Sequence, residues 1–153
     1  MPDDMNDTRL PETLALFGAT GATGRHVLSY ALKQGYNVRA LARTPAKVAI
    51  NDDNLTVIQG DFEDVAALEA TVKGAKFVIC CAGGPSGKAY QKGMMLGFIQ
   101  RLWPILEAES SVDVFSFQSV IFAPEPDGSL PLLLKILGPV AAYANGNTEM
   151  LKD

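Results

Sequence analysis

Three glycines, Gly18, Gly21 and Gly24, stand at three-residue spacing in the stretch Gly18-Ala19-Thr20-Gly21-Ala22-Thr23-Gly24. That pattern suits holding an anion on backbone N–H groups. A glycine at 18 permits a tight turn, one at 21 lets the backbone come close to a pyrophosphate, and one at 24 lets a following helix pack on a sheet. The pattern works only where a strand ends and a helix begins, because the free amides of the helix start then face the anion. Thr20, Ala22 and Thr23 complete the turn, and a dinucleotide is the ligand it predicts.

The surrounding sequence supplies those elements. Leu14 to Phe17 is a short apolar run leading into the glycines, and Val27, Leu28, Ala31 and Leu32 then recur at helical spacing up to Gly35. A second strand is predicted over Asn37 to Ala42, a short helical piece over Pro45 to Ile50, and a third strand over Leu55 to Gln59. Asp64 reads as the N-cap of a helix with Val65, Leu68 and Val72 on one face and Gly74 at its end. Phe77 to Cys81 reads as a fully buried strand stopped by Gly83 and Gly84. A longer helix is expected over Ala89 to Glu107, interrupted or kinked at Pro104, before a fifth strand at Val112 to Phe117. Strands alternating with helices imply an α/β fold with a doubly wound parallel sheet, because parallel neighbours need crossovers; the expected strand order is 3-2-1-4-5.

The chain has 153 residues, 48% of them apolar and 20% charged, which is enough for one domain with its own core. Within it, residues 1–12 are expected to be a flexible N-terminus and 123–153 an irregular or helical C-terminal segment. Thirteen Lys and Arg against seventeen Asp and Glu leave a net charge of -4, which argues against nucleic acid as a partner. Leu130 to Ala144 is apolar apart from Lys135, but it is shorter than the ~20 residues of a membrane span and is broken by Gly138 and Pro139. A lid, a packed helix or a partner surface, the last for a homodimer or another protein, is expected there, and no membrane role. Cys80 and Cys81, the only cysteines, are adjacent and should point to opposite faces of their strand. Free thiols and an acidic, polar N-terminus without an export signal fit a cytoplasmic protein.

The nicotinamide dinucleotides differ at the adenosine ribose, where a 2'-hydroxyl calls for a carboxylate about 20 residues past the glycines and a 2'-phosphate calls for a cation. The second strand ends Ala42-Arg43-Thr44, with no carboxylate before Asp52. Arg43 can grip a phosphate with its planar fork while the Thr44 hydroxyl adds a hydrogen bond, so NADP(H) is expected over NAD(H).

GATGATG after LALF, LARTPAKV one strand later, GDFED at Gly60 to Asp64 and CCAGG at Cys80 to Gly84 together resemble the atypical short-chain dehydrogenase/reductase families. NmrA-like proteins and flavin reductases of the biliverdin reductase B type are the most similar in appearance. The resemblance implies a Rossmann-like three-layer α/β/α fold and an NADP(H)-binding oxidoreductase. It also implies that Asp61 and Phe62 lie beside the adenine, and that the Ala82-Gly83-Gly84 turn passes the ribose and nicotinamide. Without it, Asp61 reads equally well as a turn or capping residue. Ser119 matches a serine near the nicotinamide, where it would orient the carboxamide or the acceptor. Similar proteins continue past the Tyr143 region into a further strand and a small substrate lobe, so half of a substrate site is expected to be absent from this chain.

Catalysis can be narrowed further. Many short-chain dehydrogenases use a Tyr with a Lys four residues on, the Lys lowering the phenol pKa for proton transfer. Here the residues four after Tyr30, Tyr36, Tyr90 and Tyr143 are Gln34, Ala40, Met94 and Asn147. Tyr143 is the nearest echo of the pattern. Without the pair, direct hydride transfer to a small conjugated acceptor of flavin, quinone or tetrapyrrole type is expected, with the protein supplying position and solvent the proton. The alternative is a non-catalytic, NmrA-like module that senses NADP(H) and binds a protein partner. His26 is the only histidine and reads as a surface residue, so neither a zinc set nor a Ser-His-Asp triad is available. Ala82 to Ala89 misses the phosphate-loop pattern at both ends, and Met94, Met95 and Phe98 read as core.

Overall fold

In a computed structural model, residues 11–82 and 94–118 are described. Five parallel strands form one sheet: β1 (Thr13–Phe17), β2 (Asn37–Ala42), β3 (Leu55–Gln59), β4 (Phe77–Cys80) and β5 (Val114–Phe117). Their order is β3-β2-β1-β4-β5, as expected from the sequence. The helices are α1 (Gly24–Lys33), α2 (Val65–Val72) and α3 (Met94–Ala108), with a short 3-10 turn at Pro45–Lys47.

Strand β1 is central, and its alternation builds both halves of the core. Leu14 and Leu16 pack with Leu28, Ala31 and Leu32 of α1, together with Val38 and Ala40 of β2. Ala15 and Phe17 point the other way, to Leu68 and Val72 of α2 and Phe98 and Leu102 of α3. Helix α1 therefore covers one face and α2 and α3 the other, the three-layer arrangement of a doubly wound sheet. Phe98 is the hub of the second layer, its ring edge-on to Phe17 at 5.2 Å and tilted against Phe62 at 4.2 Å. Cys80 belongs to this layer and Cys81 to the opposite one, so the two free thiols do diverge.

Several local expectations are corrected. The helical piece after Pro45 ends at Lys47 rather than Ile50, and Val48 and Ile50 pack beside the α1 layer instead. Val65 is 45% exposed, whereas Ala67 and Thr71 are buried with Leu68 and Val72. At about 100° per residue the buried stripe is centred between these two pairs, which leaves Val65 about a quarter-turn off it. Strand β4 ends at Cys80 and only Val78 and Cys80 are buried, because Phe77 and Ile79 lie on the side covered by α1, which packs over β1 and β2. Helix α3 is not interrupted at Pro104, which stands inside it. Pro104 and Gln100 are both exposed, so the Gln100 carbonyl that loses its amide partner faces water. Strand β5 begins at Val114, two residues later than expected, and, outermost among the described strands, keeps Val114 and Ser116 exposed.

Two local features match the sequence pattern closely. Asp64 caps α2, its carboxylate accepting from the Ala67 amide at 3.0 Å, and Gly74 follows that helix with φ +68°. Gly83, Gly84, Ser119, Tyr143, Leu130 to Ala144 and the first ten residues lie outside the described residues.

Candidate dinucleotide site

All five strands run the same way, so their C-terminal ends share one edge of the sheet. That edge collects the glycine turn after β1, Arg43 and Thr44 after β2, Asp61 and Phe62 after β3, Ala82 after β4, and Gln118 after β5. From β1 the chain goes to β2 and β3 on one side, then to β4 and β5 on the other, so β1 and β4 flank the point where winding reverses. A crevice opens at such a point, outside the carboxyl ends of the strands. Phe17 pairs with Leu41 on one side and Cys80 on the other, which places the glycine turn directly in it.

Two of the three glycines are required by the protein itself. Gly18 has φ +84°, and a Cβ on it would lie 2.6 Å from the Ala82 nitrogen. Only a residue without a side chain lets β1 turn there while passing the exit of β4. On Gly24 a Cβ would overlap the Gly18 carbonyl, so α1 starts seated on the turn it grows from. Gly21 differs: it is exposed, and a Cβ would meet only the Gly18 oxygen, at 3.3 Å. Packing presses on that position far less than on the other two, since the Gly18 oxygen would have to give by only a few tenths of an ångström, whereas a ligand lying on the turn would meet the added methyl directly.

The amides fit the same ligand. Gly21 N donates to Gly18 O at 3.0 Å and Arg25 N to Gly21 O at 3.1 Å, but the Ala22 and Thr23 amides find no acceptor among the described residues. Thr23 precedes the first residue of α1, yet its side chain makes no capping hydrogen bond. Thr20, Ala22 and Thr23 are all exposed. Open amides at a helix start carry the positive end of its dipole and bind a phosphate or diphosphate well.

Around this turn the other tips divide their work. Arg43 and Thr44 are exposed, and Arg43 forms no ion pair or side-chain hydrogen bond among the described residues. Gly60 N donates to Ala42 O at 3.2 Å, tying the end of β2 to that of β3. Asp61 Oδ1 accepts from the amides of Glu63 and Asp64 at 2.8 and 3.1 Å, so the turn role read from the residues alone is realised. The half-buried Phe62 ring rests on Phe98, so part of its surface is taken up by the core. Asp52 lies before β3, at the opposite edge of the sheet, where its Oδ1 accepts from Asn54 N at 2.9 Å. Cys81, half-buried beside the Gly18 turn, has its thiol pushed up by burial. His26 is exposed on α1, and among the described residues no cluster of His, Cys, Asp or Glu could hold a metal. No described helix is long and apolar enough to cross a membrane.

Gln118 is the residue at this edge that sequence reasoning passed over. Its Nε2 reaches Thr23 Oγ1 at 3.3 Å. No residue type or spacing signals a contact across 95 positions; only the rule that every strand tip of such a sheet faces the crevice points to it.

A dinucleotide-binding α/β domain is the class that this fold and these open amides define. A family model described as NAD(P)H-binding matches residues 18–143, and the chain belongs to that family. An isoflavone reductase homologue of Zea mays is 37% identical over 79 residues, covering 46% of this chain and 26% of that protein. The chain spans between 19% and 27% of the length of such curated relatives. Among solved structures, a short-chain dehydrogenase/reductase from Veillonella parvula superposes with a TM-score of 0.65 at 17% identity, over 92% of this chain and 62% of that one. NmrA, a negative transcriptional regulator solved with NADP, gives 0.58 at 19% identity over 72% of this chain and 34% of its own. These structures share the fold.

Proposed function

We propose that this chain is the nucleotide-binding part of an NADPH-dependent reductase, and that it prefers NADP(H) to NAD(H). The observation that carries the cofactor preference is the make-up of the β2 tip. Arg43 is exposed there beside Thr44, while Asp52, the first carboxylate after the strand, is committed to a turn at the far edge. The Ala22 and Thr23 amides would hold the diphosphate, Arg43 and Thr44 the 2'-phosphate, and Asp61 and Phe62 would border the adenine. Ala82, Gly83, Gly84 and Ser119 would line the ribose and nicotinamide side.

When bound, the nicotinamide supplies a hydride, and the acceptor is a small conjugated molecule of flavin, quinone or tetrapyrrole type. The protein's share is to hold both partners in register and exclude water. The reductase relative from Zea mays supports a reductive role, and the missing Tyr-Lys pair supports an acceptor that needs no protein proton relay. Following NADPH absorbance with flavin or quinone added tests this. Saturable oxidation above the uncatalysed rate is expected.

The same missing pair favours a second reading, a module that senses NADP(H) without turnover and meets a protein partner through Leu130 to Ala144. Tight NADPH binding with no oxidation of any acceptor would select it.

A further inference from the structure

Gln118 is held at both ends. Its backbone amide donates to Cys80 O at 2.9 Å, fixing it to the exit of β4, and its side chain crosses that exit to donate to Thr23 Oγ1. Thr23 sits where a hydroxyl ordinarily turns inward to cap the amides two or three residues on. It does not do so here: its backbone is already helical, with φ -80° and ψ -47°, and no side-chain cap is formed. A hydroxyl has one proton to give and two lone pairs. Once the Gln118 amide occupies a lone pair, the proton must point elsewhere, and the neighbouring open amides of Ala22 and Thr23 mark the place where an anion would lie.

We propose that Gln118 is a positioning residue for the dinucleotide diphosphate: by donating to Thr23 Oγ1 it directs the Thr23 hydroxyl proton at a phosphate oxygen held by the turn amides. The proposal rests on reading the glycine turn as the dinucleotide site. It differs from a merely structural role because Gln118 acts only through Thr23. Removing the Thr23 hydroxyl must therefore make Gln118 irrelevant to binding.

The test is a double-mutant cycle on the full chain, using NADPH fluorescence titrations of wild type, Gln118→Met, Thr23→Val and the double variant. Methionine keeps the length of glutamine without the donor, and both positions are exposed, so thermal melts should stay close to wild type. Thr23→Val is expected to weaken NADPH about 10-fold, as for loss of a hydrogen bond to a charged group. Gln118→Met should weaken it about 3- to 10-fold with Thr23 present, and less than about 1.5-fold in the Thr23→Val background. Gln118→Glu probes the direction of the bond. A carboxylate can only accept, so it takes the hydroxyl proton from the phosphate and should weaken binding more than methionine does. Equal losses from Gln118→Met in both backgrounds, or none in either, overturn the proposal, as does a Gln118→Glu protein that binds as tightly as wild type. A wild-type chain that binds no dinucleotide overturns the underlying reading as well, and that failure is recognised because all four titrations are silent.

Discussion

Replacing Arg43 by alanine should separate the two nicotinamide dinucleotides. Arg43 follows Ala42, whose carbonyl is pinned by the Gly60 amide at 3.2 Å, so the backbone at the β2 tip stays in place when the side chain is removed. The side chain is exposed and makes no hydrogen bond or ion pair among the described residues, so folding should be unaffected. What is lost is a charged, forked donor to a 2'-phosphate. Hydrogen bonds to charged groups contribute about 1.5–3 kcal/mol, or roughly 10- to 150-fold in affinity at about 1.4 kcal/mol per tenfold. At an exposed strand tip in physiological salt, screening over about 8 Å pulls this to the lower end. A loss of about 10- to 30-fold for NADPH is expected, growing as salt is lowered, against less than about twofold for NADH. Parallel fluorescence titrations with the two cofactors measure this. Equal losses for both, or none for either, would refute the phosphate assignment.

Other expectations divide between fold and site. Gly24→Ala puts a methyl into the Gly18 carbonyl and should lower the melting temperature markedly, by the ~1–3 kcal/mol of an overpacked site; Gly21→Ala should melt near wild type yet bind NADPH at least about tenfold more weakly. Thermal melts paired with titrations distinguish the two, and a Gly21→Ala protein with undiminished binding would show that no ligand lies on that residue. The Glu109 carboxylate accepts from the Gly74 amide and from Ser111, which holds it below the usual glutamate range. A lowered folded pKa contributes stability above the ordinary glutamate value that disappears as pH falls through the folded one. Glu109→Gln should therefore flatten the acid limb of a stability-against-pH curve, and an unchanged limb would contradict the assigned contacts. Burial pushes the Cys80 thiol up to about 11, while Cys81 is the less buried of the two. With iodoacetamide at neutral pH, Cys81 should be modified first, as read by peptide mass; the reverse order would contradict the packing of β4.

The Asp64 cap and the glycine turn are legible in the sequence because each depends on neighbours within a few residues; strand order is not local, since β1 pairs with β4 far along the chain, and is legible only because strands alternating with helices need crossover connections. Leu14 to Phe17 followed by three spaced glycines carries its own geometry, and each later strand came with a turn residue at its end. Burial was less legible. Val65 has the right type but the wrong angle on α2, and the Thr71 hydroxyl is buried because it donates to the Ala67 carbonyl of its own helix, at 2.6 Å. The apolar run implies full burial of Phe77 and Ile79, but how much covers them depends on where α1 lands over the sheet. Gln118 was invisible for a different reason: its partner, Thr23, is brought near by the fold and by nothing local. Asp61 shows the reverse, a residue whose local role in a turn was readable, while any part it plays at the adenine depends on a bound ligand.

If the glycine-turn amides grip a diphosphate at the carboxyl edge of the sheet, amide-resolved NMR during an NADPH titration will register it residue by residue. Saturable shifts are expected at Gly21, Ala22, Thr23, Arg43, Ala82 and Gln118, with the opposite edge around Asn54 and Lys76 unmoved. Saturable binding that shifts the opposite edge and leaves Ala22 and Thr23 unchanged, or no shifts at all, would contradict it.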